Sequence, residues 1–558
     1  MVKRMLQVVY KEVRGLHQAA YILGLFAFGS QLLALVRDRL LAHQFGAGME
    51  LDLYYAAFRI PDLLYVLFAS TLSVYVLIPF VASRIKGDDS HDAQRLLSQI
   101  FSGFLLVYSL LAVLMYIAAP FILPYLFPGL SPRMDELVGV MRILLLQPLL
   151  LGVSSLFGVV TQLGHRFILY AISPLIYNIG IIVGIVFFFP IWGLNGLALG
   201  VVCGALGHLL VQVPLVRKSS LAFTFTKDIS WKLLWSVLRI SLPRALTLAM
   251  QQLSILALLG FASVMTVGSV SVFQFAYNLQ SVPLAVIGAS YSIAAFPFLA
   301  DLFAQKKMDA FAVHMISAFR HIIFWSVPAI ALLIVLRAHV VRVVLGSGAF
   351  NWSDTRLTSA VLAVLAVSLV AQALNLLIVR AFYAGGKTVL PLVVTTVGSL
   401  CTMLFVYLLY VGYLYNPSVV TFFETVLRIE NVPGSEIIVL GIGYSAAMCL
   451  QTAVLLFLVM RTFSIPSNWF FPSMARAIFA SCIGGFAAYT TLNIFATGIN
   501  DTAFLGILIQ GASGGVVGIG VIIVAYHFLR SPELQEVYRS FHKRLFKTDI
   551  VASEVDVL

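Results

Sequence analysis

Apolar segments of membrane-spanning length recur along almost the whole chain, and no gap between them is long enough for a folded soluble domain. They fall near residues 20–43, 52–83, 99–125, 139–163, 167–190, 193–216, 236–262, 268–300, 314–344, 357–383, 388–414, 437–460, 474–497 and 503–529. A helix needs roughly 20 apolar residues to cross the hydrocarbon core of a bilayer. The spacing therefore predicts an all-α polytopic membrane protein with about 14 transmembrane helices. Of the 558 residues, 61% are hydrophobic and only 10% are charged, too few polar side chains to cover a soluble protein of this size.

The formal net charge is +12, yet Lys and Arg sit mostly in short connectors and tails. On one side fall the N-terminal tail, Arg84, Lys86, Arg95, Arg166, Arg217, Lys218, Lys227, Lys232, Lys306, Lys307, Lys387 and Arg461. The alternate connectors hold Arg133 with Asp135 and Glu136, Asp354 with Arg356, then Glu424, Glu430, Glu436 and Asp501. Every second connector is basic, which places both termini in the cytoplasm. Anionic membrane lipids, and not nucleic acid, are then the partners of the excess charge.

Residues 1–18 read as a basic amphipathic cytoplasmic tail on the inner membrane face, and residues 530–558 as a second basic tail. The apolar run after Lys3, Arg4, Lys11 and Arg14 has no cleavage pattern, so no removable signal is expected. Cys203, Cys401, Cys449 and Cys482 all lie in apolar spans and the ten histidines are scattered, which predicts neither disulfides nor a metal site. No P-loop or other nucleotide motif is present. No cofactor is expected, and membrane potential or an ion gradient is left as the driving force.

The stretch Gln31–Ser83 carries charge where charge is costly. Arg37, Asp38, Arg39, Asp52, Arg59 and Asp62 lie in or beside segments otherwise apolar enough to span. A charge near the bilayer centre costs roughly 2.5–3.5 kcal/mol on insertion scales, so these helices must face each other, a water-filled cavity or a polar ligand. The planar fork of Arg37 suits a diphosphate, with Asp38 fixing its rotamer; the plainer reading is a helix-end cluster that snorkels to the interface. Arg59 and Asp62 flank Pro61 at i, i+3. They either line a cavity with the carbonyls freed by the proline or neutralise each other.

Gly46 and Gly48 mark a tight turn within Phe45–Met49. Pro174 with Asn178, and Pro243-Arg244 with Gln251 and Gln252, put polar groups inside two further spans, where hydrogen bonding between helices is the commoner role. Arg244 lies near the cytoplasmic start of its span, within snorkelling reach. The turn Arg380–Thr388, RAFYAGGKT, has glycines for a sharp reversal, while Arg380 and Lys387 satisfy positive-inside bias. There is also a faint internal repeat. Phe45–Met49 and the helix ending Pro79-Phe80-Val81-Ala82 echo Phe261–Met265 and the helix ending Pro297-Phe298-Leu299-Ala300. Parallel repeats of this kind build transporters whose two halves rock about a midplane site.

The stretch from Arg37 to Leu64, RDRLLAHQFGAGMELDLYYAAFRIPDLL, resembles the opening of the MurJ/MviN lipid II flippases. RAFYAGGKT at 380–388 followed by Pro391 resembles that family's FYA-x-x-(D/K)-T-x-x-P element, and SPLIYN at 173–178, with HRF before it, its fifth-helix entry. The resemblance covers about residues 20–395 and then reduces to helix count. It implies an inner-membrane exporter of the multidrug/oligosaccharidyl-lipid/polysaccharide superfamily, with two six-helix lobes (19–217 and 218–465) around a central cationic cavity. Two further C-terminal helices within 466–529 would offer a groove for a lipid tail.

The implied activity is not enzymatic. It is alternating-access export of a polyprenyl-diphosphate-linked glycan, lipid II, from the cytoplasmic to the outer leaflet. That places the chain in peptidoglycan biosynthesis, cell wall biogenesis and cell shape, alongside the cell-wall synthesis machinery. Arg37, Asp38, Asp52, Arg59, Asp62, Arg244 and Asn278 are the expected headgroup-cavity residues. Gly46, Gly48, Pro61, Pro174, Asn178, Arg380 and Lys387 are the expected structural or gating ones. The chain departs from the pattern at Gln31, Tyr65, Val66 and Asn278, where the family usually has arginine. Those departures keep open a flippase for another lipid-linked oligosaccharide and a non-transporting scaffold; two further rivals are a cation-coupled drug exporter, against which the Arg-rich first helices argue, and a glycosyltransferase using the Glu424–Glu436 loop.

Overall fold

The computed structural model describes residues 16–71, 77, 78, 81, 84, 91–164, 166–496 and 504–545. The expected tail 1–18 lies almost wholly outside them. Among the described residues the chain is helix and turn, with no strand. The helices are α1 Leu16–Phe45, α2 Met49–Ala57, α3 Arg59–Thr71, α4 His91–Leu126, α5 Met134–Leu144, α6 Leu146–Leu163, α7 Phe167–Val183, α8 Phe189–Leu210, α9 Trp231–Ser263 and α10 Ser269–Pro283. They continue as α11 Ser290–Ala304, α12 Met308–Leu345, α13 Trp352–Val367, α14 Leu369–Ala384, α15 Val389–Tyr415, α16 Pro417–Leu427, α17 Ile438–Thr462, α18 Phe470–Ala496, α19 Phe504–Phe528 and α20 Pro532–Leu545.

Large apolar side chains such as Leu110, Phe121, Ile494 and Val516 are exposed on these helices, as lipid contact requires. The chain is a multi-pass membrane protein. By length and composition, ten helical segments among the described residues can cross a bilayer, or eleven if the broken pair α13 and α14 is one span. That test, made on the described residues, does not reach the expected 14. The spans expected near 20–43 and 52–83 are not among the ten; α2 and α3, with 9 and 13 residues, are each too short to cross alone, and most of 72–83 lies outside the described residues. The segment Ile168–Lys218 also counts once although it has 51 residues. As one straight helix it would run roughly 77 Å, more than twice the hydrocarbon thickness.

That segment folds back instead, at Gly193 (φ 58°). Its two arms, α7 and α8, pack through facing glycines: a Cβ on Gly180 would lie 3.1 Å from Gly200 O, and one on Gly184 2.7 Å from Gly200 Cα. Small residues spaced by four let backbones approach where lipid gives no hydrophobic drive for helix association. The sequence reading missed this seam, although GIIVG at 180–184 and GLALG at 196–200 spell it out.

Two compact units divide the chain, and both are discontinuous in sequence. One holds residues 1–282, 344–365 and 386–451; the other holds 283–343, 366–385 and 452–558. The lobes 19–217 and 218–465 stay an expectation of the resemblance. In the first unit α9 packs against α3, α4 and α15, and α1 packs against α7.

In the second unit α18 and α19 pair closely, a Cβ on Gly484 being 2.9 Å from Gly518 O. The expected basic tail begins as a helix, α20. Its buried Glu533 accepts from Ser531 Oγ at 2.6 Å and Arg320 Nε at 2.7 Å, with Arg476 3.9 Å away. Burial pushes the Glu533 carboxyl up, but Ser531, its own backbone N–H and Arg320 together outweigh it and hold the group below its ordinary value.

Candidate functional site

The site grows from the turn that ends α1. Gly46 takes φ 60°, and its N–H closes the helix on Ala42 O at 2.9 Å. A Cβ there would lie 2.7 Å from Ala349 O, because Ala349 N donates to His43 O at 2.9 Å and so seats the 345–350 loop against the turn. Gly46 is therefore required twice over, by backbone conformation and by space. Gly48 is different. Its φ of −139° is ordinary extended backbone, and a Cβ would meet only Phe45 O at 3.4 Å. The turn also meets the connector that follows the second copy of the faint internal repeat, since a Cβ on Gly268 would strike Ala47 O.

Asp52, in the first turn of α2, is 3% exposed. Its Oδ2 accepts from Gly268 N at 2.7 Å; its Oδ1 accepts from Ser271 N at 2.8 Å and Ser271 Oγ at 2.5 Å. These donors lie at the start of α10, where helix N–H groups have no partner within the helix. Asp52 is thus a cap supplied from a distant helix. Both its oxygens are occupied, and no direct contact joins it to Arg37.

Arg37 and Asp38 form the centre of a second arrangement. Arg37 Nε and one terminal nitrogen donate to Asp38 Oδ1 at 2.9 and 2.8 Å, and the other terminal nitrogen donates to Asn178 Oδ1 at 3.2 Å. Asn178 Nδ2 donates to Ser30 Oγ at 3.2 Å and Pro174 O at 3.1 Å. On the other side, Asn278 Nδ2 donates to Asp38 Oδ2 at 3.0 Å, and Gln274 Nε2 to Asn278 Oδ1 at 2.7 Å. One polar thread, from Ser30 to Gln274, therefore ties α1, α7 and α10 together inside apolar surroundings. The Tyr55 hydroxyl and Gln274 Oε1 are buried with no hydrogen-bond partner among the described residues.

Two features of the thread matter chemically. Arginine has five N–H donors, and the bonds above use three, on a side chain that is 22% exposed. The remaining donors can meet an anion without breaking the rotamer that Asp38 sets. At Asn278, where the resemblance leads one to expect arginine, an amide takes the second Asp38 oxygen. The carboxylate then has one cation for a neighbour, Arg37.

The other sequence candidates fall elsewhere. Arg59 bridges the break between α2 and α3: Nε donates to Tyr55 O of α2 at 3.1 Å, and the guanidinium lies 3.8 Å from Asp62 of α3. The chain breaks at Phe58, between α2 and α3, and Arg59 satisfies a carbonyl left over at that break. Pro61 stands in the first turn of α3, where a missing N–H costs little. Arg244 is half-buried on α9 and engaged by neighbours, as is Arg380 on α14. Lys387 is exposed just after Gly386, whose φ of 69° makes the reversal. Neither Arg244 nor Arg59 makes a hydrogen bond within the thread.

The reading missed Ser30 and Gln274, both members of the thread. Gln274 and Asn278 are i, i+4 on one helix, a pattern the sequence does show; Ser30 carries no such sign. The acidic loop gives its carboxylates to its neighbours. Glu424 accepts from Ser435 Oγ at 2.6 Å, Glu436 accepts from Thr266 Oγ1 at 2.6 Å, and Glu430 faces Arg356 at 3.9 Å. Among the described residues no three His, Cys, Asp or Glu side chains are grouped to hold a metal ion.

Comparison with known proteins gives these elements a context. The family model described as "Lipid II flippase MurJ" matches residues 41–417, more than half of the chain. A probable lipid II flippase MurJ of Rhizobium tropici is 25% identical over 386 residues, 66% of this chain and 71% of that protein. One from Bdellovibrio bacteriovorus is 27% identical over 391 residues, 68% and 74% of the two chains. Among solved structures, a lipid II flippase MurJ in an inward closed conformation superposes with a TM-score of 0.71. It covers 91% of this chain and 99% of its own at 22% identity, a likeness of fold.

Proposed function

Because this chain belongs to the MurJ lipid II flippase family, we propose that it carries a polyprenyl-diphosphate-linked glycan, lipid II, from the cytoplasmic to the outer leaflet of a bacterial inner membrane. Both termini then face the cytoplasm, and the chain performs transport, with no chemical step. Such a headgroup cannot cross hydrocarbon unaided, since its charges and hydrogen-bonding groups would lose water without replacement. The observation that carries the reading is the Arg37–Asp38 pair: a guanidinium fixed by its neighbour, with donors to spare, inside apolar helices.

Arg37 donates to diphosphate oxygens through its free N–H groups. Asp38 holds the fork in place, and Asn178 and Asn278 fix the pair against α7 and α10. Arg59 and Asp62 are close to neutral as a pair and bear on polar parts of the headgroup. The prenyl tail stays in lipid beside α18 and α19. Alternating access exchanges the side on which the thread meets water, driven by membrane potential or an ion gradient. The carboxylates of the Glu424–Glu436 loop, already taken by their neighbours, give no support to a glycosyltransferase.

Binding of purified protein to lipid II, undecaprenyl phosphate and ordinary phospholipid tests the reading, with wild type and Arg37→Ala side by side. Selective lipid II binding that the mutant loses is the expected result. Equal weak binding to all three overturns it.

A further inference from the structure

A cavity of about 600 Å³ lies between α3, α4 and α9, inside the first compact unit, apart from the polar thread. Its wall is apolar throughout, with Phe68 on α3, Phe104 and Val107 on α4, and Leu234 and Leu242 on α9 among the lining side chains. Trp231 and Trp235 line it as well but stay 56% and 60% exposed, so they mark its mouth. The volume is that of a ligand site. Along α9, Trp231 and Ala245 are 14 residues apart, roughly 21 Å at 1.5 Å per residue, against a hydrocarbon half-thickness of about 15 Å. A cavity of that length accepts one lipid chain across one leaflet. Gly103 keeps it open, because a Cβ there would strike Leu234.

The surroundings say which leaflet and which lipid. The connector before α9 is basic, with Arg217, Lys218 and Lys227 against Asp228, and it is strapped to α4 where Thr226 N donates to Ser102 Oγ at 2.8 Å, Thr224 N to Ser98 Oγ at 3.3 Å, and Arg95 pairs with Asp228 at 2.7 Å. Tryptophans mark a membrane interface, and a basic connector marks that interface as the cytoplasmic one. Lys232 and Arg239 are exposed on α9 beside the mouth, and neither has a side-chain partner among the described residues. Arg239 stands next to Ile240, which is 60% exposed, so its cation must snorkel up to the headgroup layer.

On α3, Leu67 and Phe68 come five and six residues after Asp62, which at 3.6 residues per turn puts them on the far side of the helix from it. The cavity therefore turns its back on the headgroup residues. We infer that it binds an anionic phospholipid of the cytoplasmic leaflet, one acyl chain inside the cavity and the phosphate held by Lys232 and Arg239. The site does not depend on what the protein exports.

The test uses the full chain in phosphatidylcholine nanodiscs doped with phosphatidylglycerol or phosphatidylcholine brominated on its acyl chains. Bromine quenches tryptophan on contact. Brominated phosphatidylglycerol should quench at a mole fraction on the order of fivefold lower than brominated phosphatidylcholine, the preference expected of a juxtamembrane cation. Trp231→Phe with Trp235→Phe should remove the component that the two lipids quench differently, and Lys232→Gln with Arg239→Gln, both on exposed positions, should erase the preference. Equal quenching by the two lipids, or a preference that survives the double substitution, would overturn the inference. So would displacement of the brominated lipid by an equal amount of undecaprenyl phosphate, which would give the cavity to a prenyl chain.

Discussion

Asp38 and Asp52 lie 14 residues apart in one motif-like stretch, and both are buried, yet the structure uses them in opposite ways. Asp52 is saturated by three donors, two of them backbone N–H groups at the start of α10. Asp38 binds only side chains, those of Arg37 and Asn278, which themselves reach on to other side chains. A carboxylate holding backbone fixes architecture, because its partners cannot move without unwinding a helix. One holding side chains can exchange partners as a ligand arrives or as helices shift. Burial and charge alone do not separate the two cases; the identity of the donors does.

The largest effect should come from the exchangeable member. Asp38→Ala removes the fixing carboxylate of a buried pair, a loss worth about 2–5 kcal/mol, so lipid II translocation in vesicles should fall on the order of a hundredfold while the protein still inserts and folds. Normal translocation would break the comparison at its centre. Asp52→Ala should do the reverse. Thermal unfolding in detergent should show a loss of about 3 kcal/mol from orphaned donors, with transport reduced only as the folded fraction falls. A stable but inactive Asp52→Ala protein would make Asp52 part of the site.

The two glycines of the turn sharpen the architectural half. Gly46→Ala should cost about 2 kcal/mol, from a positive φ and the Ala349 carbonyl together, whereas Gly48→Ala should change the unfolding midpoint little. Asn278→Arg sharpens the exchangeable half. A second guanidinium facing Asp38 should raise affinity for the diphosphate of lipid II by about tenfold, read by direct binding, and no gain would mean that the thread does not meet the diphosphate.

The smallest effect concerns a third carboxylate. Because the native contacts of Glu533 lower its pKa, the stability it lends to α20 is present above its ordinary value of 4.5 and is lost as the pH falls through the lower folded value. Hydrogen exchange along α20 should rise in that acid range for wild type, and Glu533→Gln should flatten the dependence.

Much of this was legible in the residues. Hydropathy alone determines an all-helical membrane chain, since only helices satisfy every backbone group in lipid without pairing to another segment. Insertion cost alone singles out Arg37, Asp38, Asp52, Arg59 and Asp62 as residues that need a reason to be there. The FGAGM turn also announces itself, although its two glycines look alike in one dimension.

Tertiary structure decided which reason each charge has. Arg59 turned out to serve the helix break at Phe58, and Asp52 the start of a helix more than two hundred residues away. Asp38 alone of the three holds side chains only, Arg37 of its own helix and Asn278 of α10. Sequence sets the cost of burying a charge, because that cost depends on the residue and its depth. The partner that offsets the cost is chosen by helices that meet only when the chain has folded.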